Sequence, residues 1–308
     1  YHSLKSYNWN MREHHPLKLQ KNTIRKLLKA DDKKGISSQV MLHLKDQYVS
    51  KKGFNRQNLQ KNTIIYSKSQ FKKKLKIYDN KKICTVFTHI FDDATFFYGK
   101  SLFSSYEEWL KNILLVCEKI KNINWIIKIH PANILRDNIS LEEILINKIF
   151  KKIPNNLKIV KPNTDINTFS FFNSIDYALT VRGTVGCELA CYGVPVITAG
   201  TGRYSHQGFT IDPKNKNEFL KILSNLDRIK KLTPKQIKLA RIYTYGSLIA
   251  RSIKMDGIKI DYNYNGISLE KSNLVDIPKS YDDLLKKSDV KKILNWIDKN
   301  AVDDLLEI

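Results

Sequence analysis

Apolar residues in this chain fall into short continuous runs separated by amphipathic stretches, the alternation of a parallel sheet covered by helices on both faces. Runs at 83–89, 125–129, 157–160, 177–181 and 195–199 predict strands; each is too short for a helix and ends in turn residues. Between them the period changes. Residues 106–121 carry Trp109, Ile113, Leu114 and Cys117 on one side, which predicts an amphipathic helix. Further helices are expected at 141–151, 168–173, 217–226 and 234–245. A short helix should start at Thr184, a residue type that caps, and stop at Gly193-Val194-Pro195.

Outside this alternation the pattern weakens. Residues 1–78 are polar and basic, with helices expected at 21–30 and 40–49 but no strand between them. The division expected is therefore a mainly helical or irregular segment over 1–78, an α/β domain over 79–246, and a helical tail over 247–308. The tail should hold two or three helices around a polar connector at 262–266.

With 308 residues, 42% of them hydrophobic, the chain can bury one sizeable core and a smaller appendage. No apolar run approaches the length of a membrane span, and no charged-then-apolar leader stands at the start. Opening on Tyr1 rather than Met points to a processed chain or a piece of a longer one. The four cysteines show no metal-ligand or disulfide spacing, so a reducing cytoplasm is the expected setting. The formal charge of +23 favours anionic partners, although the lysines are spread along the chain rather than gathered in a block. No aromatic interleaving of a nucleic-acid binder accompanies them, so nucleic acid is not the expected partner. Peripheral attachment to the anionic face of an inner membrane is compatible with this charge.

Loops that follow parallel strands all emerge on one edge of the sheet, and here those loops are chemically rich. They carry His89, Asp92 and Asp93; then Lys128, His130 and Pro131; then Arg182, Gly183, Thr184, Val185 and Gly186; then Arg203, Tyr204 and His206. The glycine turn leading into a helix predicts backbone N–H groups and a dipole end for a phosphate, with Thr184 serving as both cap and donor. His130 and Lys128 would add donors, Arg182 a further cation, and Tyr204 with His206 a mobile anion-contacting loop. Glu188, one turn into the helix, either meets a ribose hydroxyl or accepts from a backbone N–H. Asp93 and His89 are the candidate catalytic pair, a base and its neighbour at the acceptor. The spacing matches neither the dinucleotide fingerprint nor a Walker loop. No metal site and no cofactor is expected.

These motifs, in this order, resemble the bacterial capsule and surface polysaccharide biosynthesis family, which includes Kdo-transferring enzymes of the GT-B plan. The residues that carry the resemblance are Phe87 to Ala94, Trp109, Ile127 to Ala132, Asp165 to Thr168, Thr184 to Ala190, Gly193 to Val196 and Tyr204 to Thr210, within about residues 80–213. The resemblance implies a Rossmann-like donor-binding half. It also implies CMP-Kdo or a related nucleotide sugar as donor, a glycan or glycolipid as acceptor, and a cytoplasmic glycosyltransferase as the activity. His130-Pro131 and Thr184 to Glu188 would belong to the donor side. GT-B enzymes place an acceptor half first, and residues 1–78 are too short to make one; the segment reads as a remnant or as the link to a domain outside this chain. Two other readings stand beside it: a glycerophosphotransferase of the CDP-glycerol type, and a non-catalytic nucleotide-sugar-binding partner.

Overall fold

A parallel sheet of five strands forms the centre of the computed structural model, which describes residues 2–3, 17–49, 63–93, 99–135, 140–255, 257, 259–261, 273–276, 278–299 and 304–306. The strands are β1 (Lys82–Phe87), β2 (Ile123–Lys128), β3 (Leu157–Val160), β4 (Tyr177–Thr180) and β5 (Val196–Thr198). Their spatial order is β3-β2-β1-β4-β5, and every neighbouring pair is parallel. The chain builds outward in one direction from β1, then returns to its other side for β4 and β5. This is the doubly wound arrangement expected from the alternation, with the winding reversing between β1 and β4.

Because side chains alternate across a strand, β1 feeds two cores. Cys84 and Val86 point to one face, where α4 (Tyr106–Lys119), α5 (Leu141–Ile149) and α8 (Lys216–Leu223) bring Trp109, Ile113, Ile146 and Phe219. Ile83 and Phe87 point to the other, against Phe71 of α3 (Lys68–Lys74) and Phe171 of α6 (Phe169–Phe172). Helix starts follow local chemistry. Ser105, Ser140 and Asn215 each accept the backbone N–H of the residue three further on. Thr233 forms a capping box with Gln236 ahead of α9 (Pro234–Tyr245), with proline in the first turn.

The N-terminal helices supply core that their weak pattern did not announce. Leu27 of α1 (Lys21–Lys34) and Ile36, Val40 and Leu44 of α2 (Ile36–Val49) pack with Cys187, Ala190 and Tyr243. The helix α7 (Val185–Cys191) is thereby held between the sheet and the N-terminal segment. Gly193, at φ +82°, ends α7 in a conformation that other residues rarely adopt.

The tail differs from the all-helical expectation. It contains α10 (Tyr281–Lys286) and α11 (Ser288–Asp298), but Lys259–Asp261 pairs antiparallel with Asn273–Asp276, and Ser252–Ile253 pairs with His2–Ser3. The connector expected at 262–266 lies outside the described residues. Asp304 caps α1 from the far end of the sequence, accepting from Gln20 N–H and Thr23 Oγ1 at 2.8 Å each. It also faces the buried Arg251 at 3.6 Å. Among the described residues no helix is long and apolar enough to cross a membrane, and the four cysteines are buried and form no disulfide.

Candidate functional site

Where the winding reverses, the carboxyl ends of β1 and β4 part and leave a cleft of about 240 Å³. Its walls are Thr88 and His89 after β1, Lys128 to Pro131 at the end of β2, and Thr180 with Gly183 to Val185 after β4. Tyr48 of α2 and Thr168 complete it. Three of the loops expected to converge therefore do so.

Lys128 is the dominant charge. Its side chain is 95% buried by its 5% exposure, and its Nζ stands 5.8 Å over the Phe171 ring. No ion pair or hydrogen bond from this ammonium to a described residue accompanies that contact, and burial alone pulls its pKa down from 10.5 to about 8. At neutral pH the cleft wall thus carries a buried cation.

The two histidines beside it are held in definite tautomers. Ala132 N–H donates to His130 Nδ1 at 3.2 Å, which leaves the ring proton on Nε2. His89 is the reverse: its Nε2 accepts from Val181 N–H at 3.2 Å and lies 3.1 Å from Thr180 Oγ1, so its proton sits on Nδ1. Thr180 Oγ1 in turn accepts Gly183 N–H at 3.2 Å, which ties the glycine turn to the histidine. The His89 ring stacks on Tyr106 at 4.6 Å. Burial, with smaller contributions from His130 and Arg182, pushes its pKa down to about 3. Nitrogen–proton spectra of the imidazoles check this: His89 is expected to remain neutral, with its proton on Nδ1, down to about pH 4. A titration near 6.5 would overturn the assignment. Since the unfolded chain protonates this group at the ordinary value and the folded chain does not, stability falls as pH drops below 6.5.

The glycine turn is built differently from the sequence expectation. Thr184 already has helical backbone angles (φ −57°, ψ −27°), and its side chain makes no capping hydrogen bond, so it is not the cap that its residue type predicts. The helix it precedes has only seven residues, which leaves a weak dipole. Gly186 is not part of the cleft wall; it makes room for Tyr204, whose hydroxyl a Cβ there would meet. Tyr204 is fully buried and donates to Gly183 O at 2.6 Å, so it braces the turn from beneath rather than moving in a surface loop. His206 is 62% exposed, bonds Asp212 through its backbone, and is not part of the cleft wall. Arg182 is buried behind the turn, where its guanidinium meets Ser101 Oγ, and burial lowers its pKa.

Glu188 is wholly buried and accepts the hydroxyl proton of Tyr48. This donor is a side-chain hydroxyl from α2 rather than the backbone N–H expected from the sequence. Tyr48 itself was not legible as a site residue: with Val40 and Leu44 it continues a four-residue spacing that reads as a plain core stripe. Asp93 is exposed on the loop after β1, outside the cleft wall. Among the described residues no group of three His, Cys, Asp or Glu side chains is arranged to hold a metal ion.

Comparison with known proteins adds the following. No curated protein matches the sequence. Among solved structures the chain is similar to the Thermosulfurimonas dismutans KpsC beta Kdo 2,4 transferase, with 16% identity and a TM-score of 0.39 over 68% of this chain and 55% of that one. It is also similar to the UDP-GlcNAc 2-epimerase of Neisseria meningitidis, with 16% identity and a TM-score of 0.39 over 58% and 45%. A third is the wall teichoic acid polymerase TagF, with 14% identity and a TM-score of 0.38 over 62% and 44%. The chain spans about half the length of these structures. The family model described as capsule polysaccharide biosynthesis protein matches residues 12–232, extending the resemblance beyond 80–213 on both sides. It takes in the N-terminal helices, every strand of the sheet and the whole cleft wall, and the chain belongs to the capsule polysaccharide biosynthesis protein family.

Proposed function

We propose that this protein is a glycosyltransferase of capsular or surface polysaccharide synthesis, or the donor-binding half of one, and that the cleft between β1 and β4 holds a nucleotide-activated sugar. The observation that carries this reading is Lys128, a buried ammonium without a carboxylate partner among the described residues, on a cavity wall that it shares with His130. A buried charge is costly until an opposite charge joins it. A donor phosphate is such a partner.

In the proposed transfer an acceptor hydroxyl attacks the anomeric carbon while the bond from that carbon to the phosphate oxygen breaks. The bonding electrons leave with the nucleotide. Lys128 and the Nε2–H of His130 would take up the charge that grows there. The hydroxyl proton would pass to Asp93, the exposed carboxylate after β1. His89 is less suited to that role, because its Nε2 lone pair is engaged by backbone N–H groups; as a neutral Nδ1–H donor it would orient the substrate. CMP-Kdo is the first donor to try, and a glycan or glycolipid at an inner-membrane face the acceptor.

Melting the protein with CMP-Kdo, CDP-glycerol and UDP-sugars tests the reading. At 100-fold excess over Kd, binding should add about 2.7 kcal/mol of stability and a rise of several degrees with at least one donor. No shift with any of the three overturns it. A phosphodiester in the product, seen by phosphorus NMR, would move the assignment to glycerophosphotransfer.

A further inference from the structure

Behind the cleft lies a carboxylate that the transfer chemistry does not use. Glu142, in the first turn of α5, is 1% exposed and forms no ion pair with a described residue. Burial raises its pKa. Besides its own backbone N–H, its hydrogen-bond donors among the described residues come from the two loops that carry the site. Thr88 Oγ1 donates to Oε1 at 3.1 Å, and Asn133 Nδ2 donates to Oε1 and Oε2 at 2.9 Å each.

Both donors lead to His130. Thr88 Oγ1 accepts the His130 N–H at 3.0 Å, so the carboxylate holds that backbone through one hydroxyl. Asn133 N–H donates to His130 O at 3.1 Å, and Asn133 belongs to the short turn Pro131–Leu135. The same turn contains Ala132, whose N–H sets the His130 tautomer. The geometry points to Glu142 as a positioning residue: it locks the loop after β1 to the turn after β2 so that His130 keeps Nδ1 as an acceptor from the backbone and Nε2–H as its donor. That donor matters for catalysis only on the anion-binding reading given above, and the inference rests on that reading to this extent. A merely structural acceptor would be satisfied by any polar neighbour. This one directs a buried carboxyl group to the turn that orients the imidazole.

The test uses the whole chain, with the tautomer read on the free protein and binding read with CMP as the probe. In wild type the His130 ring should display the Nε2–H tautomer in nitrogen–proton spectra. Glu142→Ala should lose it, giving mixed tautomers, and should weaken CMP binding about tenfold. Glu142→Gln should keep both within about threefold, because the Asn133 amide can turn over to accept from the new NH2. If Glu142→Ala does not fold, Thr88→Val breaks the same relay from its other end and should shift the His130 signals likewise. An unchanged His130 tautomer in the folded Glu142→Ala or Thr88→Val variant overturns the inference. Failure of wild type to bind CMP would count against the anion site alone, since the spectra of the free protein still judge Glu142.

Discussion

Replacing Lys128 by methionine should make the free protein more stable and blind to nucleotide. The ammonium is held where burial lowers its pKa from 10.5 to about 8. At about 1.4 kcal/mol per pH unit, keeping it charged at neutral pH costs the fold on the order of 3 kcal/mol. Methionine fills much of the same space without that cost, so a gain of about 1–3 kcal/mol is expected, read as a higher midpoint in urea. The same change removes the charge proposed to meet the donor phosphate, and affinity should fall on the order of 100-fold. The pH dependence has a definite sign. Between about pH 8 and 10.5 the unfolded chain carries a proton on this lysine and the folded chain does not, so wild-type stability rises through that window relative to the variant. Nucleotide affinity moves the other way, full below about 8 and declining above it. Unfolding and binding curves for both proteins at pH 7 and about 9.5 suffice. A variant that melts lower, or still binds, would refute the role given to Lys128.

Gly186→Ala should be among the most damaging single substitutions in the chain. In an ordinary helix this exchange stabilises by up to about 1 kcal/mol. Here the new methyl would lie 2.0 Å from the Tyr204 hydroxyl and 2.6 Å from its ring carbon. The ring cannot withdraw, since it is fully buried and anchored to Gly183 O. Either the tyrosine leaves its site or α7 lifts from the sheet, and a loss of about 3 kcal/mol or more follows. Urea denaturation measures it. Adding Tyr204→Phe removes the nearest clashing atom, so the double variant should recover part of the loss. Equal or greater stability of Gly186→Ala than wild type would sink the argument.

Both predictions concern residues that the sequence marked as important, the second for a different reason from the one first read. Gly186 looked like a glycine cleared for phosphate; it is cleared for an aromatic ring eighteen positions later in the chain. Tyr204 looked like part of a loop because it stands among Gly202, Arg203 and Ser205, and local polarity carries no information about a distant turn waiting above it. Thr184 has the residue type of a cap, yet the helical angles begin at Thr184 itself. Tyr48 and Glu142 could not be found as parts of the site, since each is ordinary within its own helix and acquires meaning only through partners 140 and 54 residues away.

The sequence by itself determined the sheet, its helices and the edge on which the polar loops meet. Strands buried on both faces must be unbroken apolar runs, and helix starts are written in side chains within three residues of the backbone they cap. Such signals are local and survive without knowledge of the fold. Only the tertiary structure decided which polar residues face the cleft, which brace it, and which stay in solvent. That choice depends on desolvation and on partners supplied from elsewhere: Lys128 has no ion-pair partner among the described residues because Phe171, and not a carboxylate, came to lie beneath it.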